Sequence, residues 1–356
     1  MEITTPGRIC LFGEHSDYLG LPIIAMAISL RAKISGQKRP DNQIIIHKPD
    51  LNETETFSLE NLSYTKPRDY FKSCLKICQN EGLVFSSGFE CEVSSQIPIR
   101  AGASSSSAIN VSWIHFLSKM ADNPTKWTQE KIGKLTYQAE STEFNEPGGM
   151  MDQYTTAMGN IIHLESEPTI SIQSLSPELG SFVLGDSEQP KDTMGILKRL
   201  NDSRTEIFNL LQAKNPTTNI HTMDNDTNLS DLNTEQKNIY KGTVHNRNLL
   251  RKALVELEKT KPNYQLIGTL LTELHVILRD IFCISTPKIE SMLDAAMNAG
   301  ALGGKITGSG GGGCMFAYAP NHPEKVAEAI EQAGGKAFIV HSDAGTRSLD
   351  QMNIAK

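Results

Sequence analysis

The chain has 356 residues, of which 38% are hydrophobic, and carries a formal net charge of −7 at pH 7. Its length is enough for two domains, each with a substantial core. The acidic balance disfavours contact with a phosphate backbone, so we expect no nucleic-acid partner.

The sequence also argues against secretion and against a membrane. Its first residues show no basic segment followed by an apolar one, and the longest apolar run, residues 21–30, is too short to span a bilayer. The six cysteines form no CxxC pair; Cys74 and Cys78 stand at helical spacing without two further zinc ligands nearby. We therefore expect buried free thiols and a cytoplasmic protein without a membrane partner.

The first predicted element is a short buried strand, Ile9 to Phe12, within the segment PGRICLFGEHSDYLG. Gly13 ends this strand and places Glu14, His15 and Asp17 in the turn that follows. Polar groups at the end of a buried strand cost desolvation energy unless they are paired or bind a ligand. Two interpretations remain open from this segment alone, a salt-bridged turn and a binding site.

A loop of small residues, PIRAGASSSSA at 98–108, precedes a helix that is apolar on most sides and is predicted to be buried. Small residues let the backbone approach a ligand, and the helix start offers unpaired N–H groups to an anion. A serine N-cap is the alternative, but four serines exceed what capping needs. The spacing of a P-loop is absent, and no GxGxxG follows a strand. Before this loop, we predict strands near 23–28, 43–48, 54–59 and 89–95 and a helix over 68–81.

Two acidic residues follow in the middle of the chain. Glu140 lies on a predicted helix over 127–144, and Asp152 follows two glycines and two methionines in EPGGMMDQYTTAMG. A carboxylate among apolar residues has a raised pKa unless a cation lies nearby. Solvent exposure is the alternative for each acid.

The second half begins with strands near 160–165, 170–175 and 181–186. Residues 214–238, rich in Asn, Thr and Asp, predict an exposed loop, with a catalytic lid as the alternative. Helices over 245–260 and 264–282 precede GGKITGSGGGGCMF at 303–316. Four glycines between a buried helix and a buried strand predict close packing against a ligand or the serine loop, rather than a flexible linker. A final strand–helix–strand set completes an α+β or α/β pattern.

Four segments in this order resemble the GHMP kinase superfamily, which includes galactokinase, homoserine kinase, mevalonate kinase and phosphomevalonate kinase. GRICLFGEHSDYLGLPIIAMAI is similar to the galactokinase signature, and PIRAGASSSSA to the phosphate-binding loop of the family. GGMMDQYTTAMG resembles the galactokinase segment with the catalytic aspartate, and KITGSGGGGC the third family motif. The resemblance covers nearly the whole chain.

The resemblance implies an α+β fold of two lobes, with a ribosomal protein S5 domain 2-like lobe over 1–180, a ferredoxin-like α/β lobe over 181–356, and the active site between them. It implies transfer of the γ-phosphoryl group of ATP to a sugar hydroxyl. Asp152 would be the base and Arg8 its neighbouring cation. Ser106, or Ser105 as the next choice, would hold Mg²⁺ together with Glu140. The remaining implied roles are sugar binding by Glu14, His15, Asp17 and Gly149, and nucleotide binding by Gly102, Ala103, Ser104, Ser105, Ser106, Ser107, Gly308 and Gly310.

Several positions depart from the family pattern. Ala25 stands where the galactokinase signature has proline, and Arg100 and Ala103 stand where the phosphate loop usually has Gly and Leu. Residues 185–197 lack the tyrosine-bearing stretch of galactokinases and look more like mevalonate kinases. We expect D-galactose as the substrate, because the acids of the turn suit a polyol, and a monomer or weak homodimer. The alternatives are another aldose, a uronic acid, mevalonate, or a non-catalytic sugar sensor.

Overall fold

A computed structural model describes residues 1–99, 101–146, 148–190, 193–224 and 226–349. In chain order, the strands are β1 Glu2–Phe12, β2 Ile23–Lys38, β3 Gln43–Lys48, β4 Glu53–Ser58, β5 Phe89–Ser95, β6 Ile161–Glu165, β7 Ser171–Leu175, β8 Phe182–Asp186, β9 Gly303–Ile306, β10 Cys314–Tyr318, β11 Lys336–Val340 and β12 Arg347–Ser348. The helices are α1 Tyr70–Asn80, α2 Ser105–Met120, α3 Gln129–Tyr137, α4 Met151–Met158, α5 Thr193–Lys214, α6 Thr234–Leu257, α7 Tyr264–Val276, α8 Pro287–Asn298 and α9 Pro323–Gln332.

The first sheet is built on β2, a 16-residue strand that pairs with β1 along most of its length. The strand order is β12-β1-β2-β5-β3-β4, with β6 on β2 and β7 on β6. Helix α2 packs against β1 and β2. Its buried residues include Trp113 and Phe116, which stack on each other within an apolar cluster shared with β3 and β5. The prediction that this helix is buried is confirmed.

The second sheet is antiparallel, in the order β11-β8-β10-β9. Helices α8 and α9 pack on it, and α7 lies against β9. Phe182 contacts both Phe316 and Tyr318 in this core. A single apolar cluster runs from Ile9 and Phe12 in the first sheet to these rings, so the two sheets share one continuous core.

The second sheet begins at Phe182, close to the expected domain boundary at 180/181. The chain then returns to the first sheet near its end, where β12 pairs with β1 and Ser342 bridges Ile28. The division of the chain into 1–180 and 181–356 stays a prediction, since the terminal strand belongs to the first sheet.

Most predicted strands and helices are present, with shifted bounds, but several helices differ from the prediction. Helices α4, α5 and α8 were not predicted, and α6 begins at Thr234, 11 residues before the expected start. The predicted exposed loop lies between α5 and α6 and most of its described residues are exposed, but Met223 and Leu232 are buried in an apolar cluster with residues of these two helices.

Candidate active site

A cavity of about 820 Å³ lies at the junction of the two sheets. This volume is in the range of pockets that bind small molecules and cofactors. Its wall includes residues from β1, the turn after it, the start of α2, the start of α4 and the glycine-rich loop before β10. Of the sequence-predicted site residues, those bordering the cavity are Arg8, Glu14, His15, Asp17, Gly102, Ser104, Ser105, Ser106, Ser107, Glu140, Gly149, Asp152 and Gly308.

Ala103 and Gly310 do not border this cavity in the described part of the chain. The Ala103 carbonyl accepts a hydrogen bond from the Arg8 N–H at 3.1 Å. Gly310 packs against Ile284. Nucleotide contacts by these two residues stay predictions. Arg100, which departs from the family pattern, lies outside the described residues.

Arg8 and Asp152 form an ion pair inside the cavity. Arg8 is 3% exposed, and its Nε and Nη2 donate to Asp152 Oδ1 at 2.9 and 2.6 Å. Nη1 donates to the Gly102 carbonyl, which ties the pair to the loop before α2. The Asp152 side chain is one-third exposed. In the described structure only its Oδ1 takes part in these bonds, so Oδ2 is the oxygen that a ligand can reach.

The turn at residues 13–20, called the substrate turn from here on, is held by the second half of the chain. Glu14 accepts from Lys305 Nζ at 2.7 Å and from the Gly308 N–H at 3.2 Å. Asn246 of α6 donates to the Glu14 carbonyl, and Arg204 of α5 donates to the His15 carbonyl. Lys305, Asn246 and Arg204 were not among the predicted site residues, because nothing local in the sequence relates them to the turn.

Asp17 lies directly against the backbone of Gly149. A Cβ at position 149 would overlap the Asp17 carboxylate, so this contact requires glycine. The Met151 N–H donates to Asp17 Oδ2 at 3.4 Å. Removal from bulk water, and next the charge of Asp152, raise the pKa of Asp17 to about 6. Its two oxygens can accept more hydrogen bonds than the backbone N–H groups of Met151 and Tyr18 supply, so the carboxylate can also accept from a ligand.

The serine loop and the glycine-rich loop pack backbone to backbone. A Cβ at Gly308 would lie 2.9 Å from Gly102 Cα, and the Cys314 N–H donates to the Ala101 carbonyl at 2.7 Å. Gly102 and Gly308 both have positive φ, 92° and 81°. The glycine-rich loop therefore packs on the serine loop as a segment, but of its four consecutive glycines, 310–313, it is Gly313 that makes this contact, against the Ala101 backbone. This packing aims the first turn of α2 at the cavity.

The four serines have different surroundings. Ser104 has φ 61°, and its hydroxyl is buried without a partner among the described residues. Ser105 Oγ lies 3.4 Å from Ser95 Oγ, and Ser107 Oγ donates to Glu140 at 2.9 Å. Ser106 is exposed at the cavity. The first-turn N–H groups beside these hydroxyls are suited to an anion.

Glu140 is a buried carboxylate that accepts hydrogen bonds from neutral side chains. Ser107, Asn110 and Gln153 all donate to it. Burial raises the pKa of Glu140 to about 7. No Lys or Arg in the described structure forms an ion pair with it. A carboxylate that is 6% exposed, has no cationic partner among the described residues and borders the same cavity as the Ser106 hydroxyl fits the hard oxygen ligands that Mg²⁺ prefers.

Three family models match the sequence. Residues 69–160 match the GHMP kinases N terminal domain, and residues 250–336 match the GHMP kinases C terminal domain. Residues 2–38, which contain the substrate turn, match the galactokinase galactose-binding signature. The structure has no helix, within the described ranges, that is both long and apolar enough to cross a membrane.

The curated relatives include mevalonate kinases and galactokinases at similar sequence identity. A mevalonate kinase of Thermococcus gammatolerans is 29% identical, with 94% of each chain covered. A galactokinase of Pasteurella multocida is 27% identical, covering 93% of this chain and 88% of its own. Among solved structures, Lactococcus lactis galactokinase complexed with galactose has a TM-score of 0.85 at 20% identity, covering 98% of this chain and 95% of its own. These identities are too similar to distinguish between the galactokinase and the mevalonate kinase activity.

Proposed function

The chain belongs to the GHMP kinase family, and we propose that it phosphorylates the anomeric hydroxyl of an aldose, most simply D-galactose. Its galactokinase and mevalonate kinase relatives phosphorylate an alcohol group. The expected GHMP kinase fold, mixed α+β with two sheets, is confirmed by the likeness to galactokinase and mevalonate kinase structures. In the proposed reaction ATP is the phosphoryl donor, and the cavity holds both substrates.

The observation that carries the sugar proposal is the charge balance of the cavity. A hydroxy acid such as mevalonate needs a free cation for its carboxylate, whereas a sugar needs acceptors for its hydroxyls. Asp17 supplies such acceptors, and the galactose-binding signature covers it. Every described Lys or Arg bordering the cavity already has a carboxylate partner. These pairs are Arg8–Asp152, Lys48–Glu55, Lys66–Glu55 and Arg68–Glu146.

The proposed roles follow from the geometry. Asp152 Oδ2 accepts the proton of the sugar hydroxyl, and Arg8 neutralises charge on the moving phosphoryl group. Asp17 and the Gly149 backbone hold sugar hydroxyls, while Glu14 and His15 shape the substrate turn. The phosphates bind at the first turn of α2, with Ser104 offering its hydroxyl. Ser106 and Glu140 would hold Mg²⁺, which neutralises phosphate charge when bound.

A substrate panel tests the proposal. Initial rates of ADP release are measured with Mg-ATP and galactose, glucose, galacturonate, N-acetylgalactosamine, arabinose or mevalonate. We expect galactose to give the highest kcat/KM and mevalonate no turnover above the background without acceptor. Mevalonate turnover without aldose turnover would contradict the proposal, and no turnover with any acceptor would favour the non-catalytic sensor.

The state of Asp17 predicts a pH dependence for sugar use. The pKa of Asp17 is raised to about 6, so the carboxylate becomes ionised, and a stronger acceptor, as pH increases through 6. At saturating Mg-ATP, kcat/KM for the sugar should therefore rise between pH 5 and 7. Asp17→Asn should raise the sugar KM about tenfold and flatten this acidic limb. An unchanged limb in the variant would show that another group titrates.

The two candidate metal serines give different predictions. Ser106 is exposed at the cavity, whereas Ser105 Oγ lies against Ser95. We expect Ser106→Ala to raise the Mg²⁺ concentration for half-maximal rate about tenfold or more. Ser105→Ala is the matched control and should change it less than about threefold. The reverse order in a Mg²⁺ titration at fixed ATP would assign the metal to Ser105.

A further inference from the structure

Tyr18 borders the cavity beside Asp17, and none of the roles above uses it. Its hydroxyl lies 3.2 Å from His15 Nδ1, and its ring meets the His15 ring edge-on with centroids 6.1 Å apart. The buried guanidinium of Arg204 lies over the Tyr18 ring, 5.7 Å from its centroid. The tyrosine is therefore held from two sides while part of it stays open to the cavity.

The hydrogen bonds of His15 determine which way the Tyr18 proton points. His15 Nε2 lies 3.1 Å from the Ser309 carbonyl, which can only accept, so Nε2 carries the ring proton. Burial, together with the charges of Arg204, Lys305 and Arg199, lowers the pKa of His15 to about 3, so the ring is neutral. A neutral ring protonated at Nε2 has an acceptor at Nδ1.

Tyr18 must then be the donor in its bond with His15. Its pKa is raised to about 12, mainly by burial, so the phenol keeps its proton near neutral pH. Since that single proton goes to His15 Nδ1, the Tyr18 oxygen can only accept hydrogen bonds from the cavity. Next to it, the Asp17 carboxylate is also an acceptor. A ligand at this end of the cavity must therefore supply hydrogen-bond donors.

We infer that Tyr18 is a specificity-determining substrate contact, whose phenolic oxygen accepts a hydrogen bond from a hydroxyl of a neutral polyol. His15 and Arg204 act through it as positioning residues. The inference deepens the proposed function and rests on it. A sugar hydroxyl can donate to the Tyr18 oxygen, whereas a ligand carboxylate would face two acceptors and lose its hydration without gaining a hydrogen bond.

The test compares Tyr18→Phe with the native protein across the 2-, 3-, 4- and 6-deoxy analogues of galactose, or of whichever aldose the native protein phosphorylates. Phenylalanine keeps the ring over Arg204 and removes only the oxygen. We expect kcat/KM for the parent sugar to fall about tenfold and the KM for ATP to stay within about twofold. Tyr64→Phe is the matched control, because its hydroxyl bonds Glu143 away from the cavity wall.

The decisive readout is the coupling between variant and analogue. For one deoxy analogue, kcat/KM of the native protein should be about tenfold lower than for the parent sugar. This loss should be absent in Tyr18→Phe, because both changes remove the same hydrogen bond. If Tyr18→Phe acted only by disturbing His15, it would lower kcat/KM equally for every sugar and keep all the deoxy penalties. That result would overturn the inference. An unchanged parent kcat/KM would overturn it as well. Turnover of mevalonate and of no aldose would overturn the proposed function and this inference together.

Discussion

Asp152→Asn is expected to lower kcat for sugar phosphorylation by about 10²- to 10⁴-fold, the usual contribution of a proton-transfer group. The amide oxygen still accepts from Arg8, so the contact that now joins Nε and Nη2 to Oδ1 survives the change. What is lost is an oxygen that can take up a proton at the exposed side of the residue. Sugar binding should stay within about tenfold, since Asp17 and Gly149 are untouched.

Two measurements separate the chemical role from a binding role. Steady-state kinetics at saturating Mg-ATP give kcat, and calorimetric titration of the sugar in the absence of ATP gives the dissociation constant. The matched control is Asp343→Asn, which alters another Arg–Asp pair, with Arg31 at 2.6 Å, outside the cavity. It should leave kcat within about twofold.

Retention of native kcat in Asp152→Asn would contradict the base assignment. A large loss of sugar affinity with little change in kcat would instead make Asp152 a binding residue. Either outcome would leave the ion pair with Arg8 as a structural contact, the interpretation that a single motif could not exclude.

The parts of the site that could be predicted are those that local sequence determines. Gly13 ends a buried strand, and small residues precede an apolar helix; both patterns place groups at a cavity without information from elsewhere in the chain. The four motifs in order then supplied the family and the fold. Asp152 and Glu140 were located by their motifs, but their surroundings were not: one is paired and partly exposed, the other buried among neutral donors.

The supports of the substrate turn could not be predicted, because they lie far away in sequence. The bonds from Arg204, Asn246 and Lys305 to the turn span 189, 232 and 291 residues. A lysine within a glycine-rich segment is expected to face solvent, yet Lys305 is 0% exposed. Only the packing of the second half of the chain on the first creates its environment.

Helix α5 is a different case, since its pattern was present in the sequence. Ile196, Leu200, Ile207 and Leu211 recur at spacings of four, seven and four residues, which is typical of one helical face. The polar segment that follows this helix favours a loop and masks the pattern. Helix α5 carries Arg204, the arginine that lies over Tyr18.

Lys305→Met is expected to lower the free energy of unfolding by about 3–5 kcal/mol, as is usual when one partner of a buried ion pair is removed. Lys305 Nζ donates to Glu14 at 2.7 Å and to the Cys10 and Ile306 carbonyls at 2.9 Å each, so its three protons are all used. In the variant, Glu14, which is 2% exposed, would keep a single donor among the described residues, the Gly308 N–H. Urea denaturation followed by circular dichroism measures the change.

A double variant distinguishes an unpaired charge from lost packing. Glu14→Gln combined with Lys305→Met removes both charges, and we expect it to be about 1–3 kcal/mol more stable than Lys305→Met alone. Lys198→Met is the surface control, because its pair with Asp202 is exposed on both sides and should cost less than about 1 kcal/mol. If the double variant were as unstable as the single one, the loss would come from packing around the lysine stem. If it recovered, the Glu14–Lys305 pair would be the electrostatic contact that fixes the substrate turn on the second sheet, and the sugar KM of the single variant should rise more than its KM for ATP.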